Sequence, residues 1–199
     1  ELDMQHKPRV DIISSLPIDG DPVTGSPPWA IMRQLHQLFD IHMLDASKVE
    51  HLGTDAKVLL LIHPKNLPIT ALHAIDQYVL HGGHLVVFVD PDAEMDALPV
   101  GAVAGNIAGS NSNLPKLFKA WGVQFDPDQV VLDRSRALSI ALGEQSVPMR
   151  HPAMLGLTAQ DLNHDDVITA SLSNINVSSS GYFELAPHTG SRLRPLVQT

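Results

Sequence analysis

Hydrophobic residues recur with two different periods along the first 90 residues of the chain. Short runs rich in Val, Ile and Leu predict β-strands, and apolar residues three or four positions apart predict amphipathic helices between them. The predicted strands cover Pro8–Leu16, Ile41–Leu44, Val58–Ile62 and Leu85–Val89. One helix is expected to begin after Ser26, which stands before a proline, and another covers Thr70–His81 and ends at Gly82.

This order of elements predicts an α/β fold. A continuous apolar run such as Val58–Ile62 is typical of a strand covered on both faces, as in a parallel sheet. Parallel strands joined through helices form right-handed crossover units. We therefore expect a flavodoxin-like, doubly wound and mostly parallel sheet with helices on both faces, in which Leu85–Val89 is a further buried strand.

The second half of the chain carries fewer helical signals. A third helix is predicted from Asn113 to Trp121, and the run Val130–Asp133 predicts a strand that completes another crossover unit. From about residue 130 the sequence is strand-like and turn-rich, without clear helices. We expect a single α/β domain over residues 1–199, with a mobile loop near 92–112 where small residues predominate.

Composition and charge exclude several classes of partner and chemistry. The net charge of −9 lacks the cationic surface that nucleic-acid binding requires. The chain contains no cysteine, which removes disulfides, thiolate metal sites and cysteine nucleophiles. The apolar runs are far shorter than the roughly 20 residues that span a bilayer. Because the chain begins at Glu1 without methionine, we expect it to be part of a longer protein with any transmembrane segments outside it.

The stretch HGGH, His81–His84, has the composition of a metal or phosphate site, but its position argues against both. A strand that rises about 3.3 Å per residue would carry Asp90 about 20 Å from His84. Phosphate-binding glycines follow a strand and precede a helix, whereas Gly82 and Gly83 follow a helix and precede a strand. We therefore interpret HGGH as the end of a helix and predict no metal site and no cofactor.

Polar residues follow the predicted parallel strands at their carboxyl ends. Doubly wound sheets bind ligands at that edge, so these side chains are candidate contacts for a ligand or a partner. The turn IHPKN offers no nucleophile of the kind that a strand-to-helix elbow presents, and we predict no catalytic residue. The candidate contacts are Ser14, Ser15, His63, Lys65, Asp90 and Asp92.

Several stretches, in their order along the chain, resemble one known family. They are KPRVDIISSLP, VLLLIHPKNLPITALHAIDQYVLHGGHLVVFVDP, NLPKLFKAWGVQFDPDQVVLD and HPAMLGLTAQDLNHDDVITASLSNINVSSSG. Together they cover most of the chain, which is similar to the GldG-like auxiliary components of ABC-type transport systems associated with gliding motility. The second and third stretches are the most specific, because each joins a helix ending to a following strand.

The resemblance implies a non-catalytic, periplasmic domain of an inner-membrane protein, which works with the permease and ATPase subunits of the same system. Such a domain would bind a partner protein or a cell-envelope ligand, and its fold would resemble class I glutamine amidotransferases. The chain lacks the cysteine of an amidotransferase and the P-loop of an ATPase, in agreement with this implication. Whether the domain forms a homodimer is left open. The alternative is a sugar- or polar-ligand-binding module, or a hydrolase, that uses Ser15, His63, Lys65 and Asp90.

Overall fold

The computed structural model describes residues 7–21, 25–96, 109–141 and 147–199. The chain divides into two compact units. The first takes residues 1–89, 94–106 and 112–117, and the second takes 90–93, 107–111 and 118–199. A single domain over residues 1–199 therefore stays a prediction. Much of the predicted loop near 92–112 lies outside the described residues.

The elements of the first half are strands with intervening helices, as the hydrophobic periods predict. They are β1 (Arg9–Ser14), α1 (Ala30–Leu38), β2 (Asp40–Met43), a 3₁₀-helix (Ala46–Lys48), β3 (Val58–Ile62), α2 (Ile69–Leu80) and β4 (His84–Phe88). Helix α1 begins later than predicted, with Trp29 as its N-cap, because Ser26 pairs with Asp21 in an isolated β-bridge.

A four-stranded parallel sheet of order β2-β1-β3-β4 forms the centre of the first unit. Strand β1 lies between β2 and β3, so the chain moves first to one side of β1 and then to the other. With right-handed crossovers, this reversal of direction places α1 and α2 on opposite faces. The predicted α/β, doubly wound fold is therefore confirmed.

The alternation of side chains along the strands agrees with this placement. Val10 and Ile12 of β1 form a core cluster with Met32 of α1, and Val58 and Leu60 of β3 pack against it. The register pairs Val10 with Val58 and Ile12 with Leu60, so all four strand residues share one face. Helix α1 thus covers the face of the even-numbered residues.

Helix α2 covers the opposite face. Leu59 and Leu61 of β3 are buried there, and Ala74 and Ile75 of α2 are buried as well. Burial raises the pKa of the Tyr78 hydroxyl on α2, and the nearby Asp11 carboxylate adds to this effect. The proximity of Tyr78 to an odd-numbered residue of β1 shows which face α2 occupies.

Strand β4 differs from its prediction as a buried strand. It is an edge strand, and its exposure alternates: Leu85 and Val87 are partly buried, while Val86 is 42% and Phe88 58% exposed. The apolar run predicts burial on both faces, but burial depends on which element lies above each face, which the run does not encode. The prediction was wrong for the even-numbered face.

The predicted strand at Val130–Asp133 is also absent, and the described residues add no fifth parallel strand. The segment is extended and makes single backbone bonds, from Val131 N–H to the Ser180 carbonyl at 2.8 Å and from Asp133 N–H to the Pro152 carbonyl at 3.0 Å. Leu132 is 64% exposed, so the segment lacks the two covered faces of a central parallel strand.

The later elements are mostly antiparallel strands. They are α3 (Pro115–Trp121), β5 (Val123–Gln124), β6 (Ala137–Ile140), β7 (Met149–Thr158), a 3₁₀-helix (Ala159–Asp161), β8 (Asn174–Ser178) and β9 (Glu184–Leu185). Strands β6, β7 and β8 form one sheet in that order, and β5 pairs with β9. Phe118, Phe125 and Phe183 contact one another, with ring centroids 5.3 to 6.3 Å apart.

A buried carboxylate joins three parts of the second unit. Asp161 accepts hydrogen bonds from Arg136 Nε at 2.7 Å and from the Thr158 backbone N–H at 2.9 Å. Arg136 also pairs with Asp133 at 2.9 Å. The Arg136 hydrogen bond, followed by that of Thr158, lowers the pKa of Asp161 to about 2.

We expect Gly83→Ala to destabilise the first unit by about 2 kcal/mol, the typical effect of overpacking a core. An added Cβ would lie 2.6 Å from Tyr78 Cδ1, and the ring cannot withdraw because it is buried and bonded to the Ala56 carbonyl at 3.2 Å. Urea unfolding measures the change. Gly53→Ala is the matched control, since its nearest neighbour lies 3.9 Å away. Equal effects of the two substitutions would contradict the packing explanation.

We expect Asp161→Asn to lower the midpoint of thermal unfolding at neutral pH, and the difference from the wild type to shrink as the solution is acidified. Because folding lowers the pKa of Asp161 from 3.8 to about 2, its carboxylate stabilises the fold above pH 4 and ceases to do so as pH falls through 2. Calorimetry at several pH values measures this. The exposed Asp165→Asn serves as the control, and a pH-independent difference at Asp161 would refute the role of its charge.

Candidate functional site

The carboxyl ends of β1, β3 and β4 meet at one edge of the parallel sheet. Ser14 is in register with Ile62, and the Ser15 backbone N–H donates to the Ile62 carbonyl at 3.3 Å. The His63 backbone N–H donates to the Phe88 carbonyl at 2.9 Å. These bonds extend the strand pairing by one residue and fix where the loops leave the sheet.

His63 and Lys65, two of the predicted contact residues, come together on a third residue, Asp96. His63 Nε2 lies 3.3 Å from Asp96 Oδ2, and Lys65 Nζ forms an ion pair with the same oxygen. Hydrogen bonding from Lys65, assisted by His63, lowers the pKa of Asp96 against the opposing effect of burial. Asp96 is therefore a carboxylate at neutral pH and connects the residues that follow β4 to the end of β3.

The His63 imidazole is enclosed. The residue is 2% exposed, and its backbone has a φ of 50°, a left-handed conformation that is uncommon outside glycine. Nε2 faces the Asp96 carboxylate and donates to it, and Nδ1 is buried without a hydrogen-bond partner among the described atoms. The ring thus fixes the position of Asp96 and exposes no free nitrogen to an incoming molecule.

Ser14 and Ser15 do not supply a nucleophile to this imidazole. Ser14 Oγ donates to the Leu16 carbonyl at 2.9 Å and accepts from the Leu16 N–H at 3.0 Å, so it closes its own turn. An activated serine needs a base within hydrogen-bond reach of its oxygen. Ser15 is exposed and contributes its backbone to the edge.

Asp90 and Asp92 belong to the second unit, unlike the other four predicted residues. Asp90 Oδ1 accepts from the Asp92 N–H at 2.9 Å, and Asp92 Oδ1 accepts from Ser110 Oγ at 2.8 Å. The Ala93 N–H donates to the Ser110 carbonyl at 3.0 Å. These carboxylates therefore order a turn, and a role in binding stays a prediction.

Two exposed apolar residues are linked through the backbone to the His63–Lys65–Asp96 cluster. Phe88, whose carbonyl accepts from His63, is 58% exposed, and Met95, the neighbour of Asp96, is 62% exposed. The side chains of Lys65 and Asp96 are 26% and 25% exposed. This edge of the first unit, defined by Lys65, Phe88, Met95 and Asp96, is called the carboxyl-edge patch below.

The sequence alone did not identify Asp96, Phe88 or Met95 as members of this site. Asp96 follows three other acidic positions, Asp90, Asp92 and Glu94, and nothing in the local pattern distinguishes it from them. Phe88 is part of a run that predicts burial. The one usable signal was the position of Asp96 within a loop that follows a parallel strand, where functional residues concentrate.

The described residues contain no group of three or more His, Asp or Glu side chains arranged to hold a metal ion. Within the same residues, no helix combines the length and the apolar content needed to cross a membrane.

Comparison with protein-family models identifies the family. The model described as an ABC-type uncharacterized transport system matches residues 7–199, and the chain belongs to this family of auxiliary transport components. Neither the curated proteins nor the solved structures yield a match to the chain.

We expect Asp96→Asn to destabilise the first unit by about 1 kcal/mol at neutral pH, the usual size of a partly exposed charged hydrogen bond. Folding lowers the pKa of Asp96, so this stabilisation is present above the ordinary pKa range of Asp and is lost at lower pH. Urea unfolding at neutral and acidic pH measures both. Asp40→Asn is the control, because Asp40 is 61% exposed and pairs only with His42 among the described ion pairs. An equal loss in the control would contradict a specific role for Asp96.

Proposed function

We propose that this chain is the non-catalytic, periplasmic domain of a GldG-like auxiliary protein of an ABC-type transport system, and that its carboxyl-edge patch binds a permease subunit of the same system. The family match supports the transport assignment. The observation that carries the binding assignment is the exposure of Phe88, whose carbonyl is bonded to His63, and of Met95, which precedes Asp96 in the chain.

Aromatic residues and methionine are enriched in protein interfaces. The backbone of Phe88 is held by strand pairing and by its bond to His63, so binding would order only its side chain. The charges of Lys65 and Asp96 at the same edge would orient a partner rather than add much affinity. The patch therefore suits a protein surface with an apolar centre and a polar rim.

The permease is the partner we propose for direct contact, because a periplasmic domain can reach its external loops, whereas the ATPase acts on the other side of the membrane. The ATPase would associate through the assembled system. The absence of cysteine is compatible with an oxidising compartment.

The fold that we propose for this family is flavodoxin-like. Its support is the strand order β2-β1-β3-β4, which equals the first four positions of the order 2-1-3-4-5 of flavodoxin-like sheets. The remaining strand of that pattern is the one the sequence places at Val130–Asp133, which the structure leaves outside any sheet.

The alternative of a sugar-binding module or hydrolase has less support. The His63 imidazole is enclosed, and the Ser14 hydroxyl is engaged by its own turn. Lys65 is paired with Asp96, and Ser15 contributes its backbone to the sheet edge, so these predicted residues do not form the convergent polar set that specific small-ligand pockets use.

We expect the double variant Phe88→Ala and Met95→Ala, made in the full-length protein, to lose co-purification of the permease from solubilised membranes. Truncation of interface anchors typically costs about 2 kcal/mol or more each, which is more than tenfold in affinity. The matched control is Ile31→Ala and Leu38→Ala on α1, which are 51% and 53% exposed. Retention of the permease by the patch variant, or its loss in both variants, would refute the proposal.

A further inference from the structure

A concave surface lies at the opposite edge of the same sheet, within the first unit. It is a cleft of about 620 Å³ where β3 and β4 begin, between α2 and the loop that precedes β3. The volume is that of a small-molecule site, for which 300 to 1,000 Å³ is typical. Its charged and titratable lining residues are Glu50, His51, Lys57, His73, His81 and His84, besides the Tyr78 phenol.

The frame of the cleft is held by Tyr78. Its hydroxyl donates to the Ala56 carbonyl at 3.2 Å and is also bonded by the His84 backbone N–H. The Tyr78 carbonyl accepts from the Gly83 N–H at 2.9 Å, and Gly83 has no side chain to displace the ring. One buried side chain therefore joins α2, the preceding loop and the start of β4, so the walls of the cleft are fixed before any ligand binds.

The four histidines come from three separate segments and are all exposed. His73 and His81 lie two helical turns apart on the same side of α2, with Gln77 between them. His81 Nδ1 lies 2.6 Å from the Gln77 carbonyl and donates to it, which leaves Nε2 directed away from that bond. His84 begins β4 and His51 belongs to the loop, and both residues line the cleft.

We infer that this cleft binds a small, multiply charged anion, bearing carboxylate or phosphate groups, when its imidazoles are protonated. Imidazole is the side chain that ordinarily changes charge between pH 5 and 8. Among the described lining residues four histidines and Lys57 are basic and Glu50 alone is acidic, so the lining is positively charged when the imidazoles are protonated. A cation is not favoured, because no described group of three or more His, Asp or Glu residues is arranged to hold a metal ion.

Other charged residues near the cleft do not reverse its positive charge when the imidazoles are protonated. The loop also carries Asp55, and α2 carries Asp76, but neither lines the cleft. Arg9 and Asp11 of β1 pair with each other at 2.7 Å, so they contribute little net charge. The chain as a whole has a net charge of −9, which makes a cationic cleft a local feature and not a consequence of composition.

The test is calorimetric titration of the 199-residue protein with citrate and with pyrophosphate, at about pH 5.5 and about pH 8 and constant ionic strength. Uptake of one proton with the anion should raise the affinity by about tenfold or more across this range. The variant His73→Gln and His81→Gln should lose that gain. Its matched control, His36→Gln and His42→Gln, alters two histidines of the first unit outside the cleft.

A variant that binds the anion more tightly distinguishes an effect on binding from a folding defect. Glu50→Gln removes the one lining carboxylate and should increase the affinity at both pH values, which an unfolded protein cannot do. The inference is supported if either anion binds more tightly at low pH and if the cleft variant, but not its control, binds more weakly. Absence of binding by both anions, equal binding at both pH values, or equal weakening in the control variant would overturn it.

Discussion

The parallel pairing of β1 with β3, residues Val10 to Ser14 against Val58 to Ile62, is the constraint on which the rest of the first unit depends. Both strands are central, and each directs alternate side chains into the layers below α1 and α2. Because the two strands run in the same direction, their carboxyl ends coincide at Ser14 and Ile62. His63 can therefore enter the left-handed conformation directly at the edge and reach Asp96, which a shift of the register by one residue would prevent.

The two edges of this sheet differ in chemistry because its strands are parallel, so that all the carboxyl ends lie at one edge and all the amino ends at the other. At the carboxyl edge the strands end in polar turns, where β4 ends with the exposed Phe88 and the Lys65–Asp96 ion pair joins two loops. At the amino edge the end of α2 and the loop before β3 meet around Tyr78, and four histidine residues are among those that line the cleft. An apolar patch with fixed charges suits a protein surface, whereas a walled cleft of titratable groups suits a small charged molecule. The two proposed roles thus rest on different residues and can be separated experimentally.

The sequence predicted the local elements well where the decisive interactions are local. Strand β3 has the predicted bounds, Val58–Ile62, and helix α2 ends as expected at Gly82, whose φ is 86°. The predictions failed where burial or pairing depends on a residue distant in the sequence. Whether β4 is covered on its second face, whether Val130–Asp133 finds a place in a sheet, and which carboxylate meets His63 all depend on tertiary placement. The roles of the six predicted contact residues remain predictions.

The HGGH stretch shows what the spacing of a motif establishes and what it leaves out. Spacing correctly argued that its histidines cannot share a metal with Asp90, since Asp90 follows the far end of β4. Spacing could not reveal that Gly83 must lack a side chain because the Tyr78 ring occupies the space where its Cβ would lie. The Tyr78 hydroxyl in turn accepts from the His84 backbone N–H and holds the start of β4. The glycine is therefore required for packing, and the same packing brings the residues His81 and His84 to the lining of one cleft.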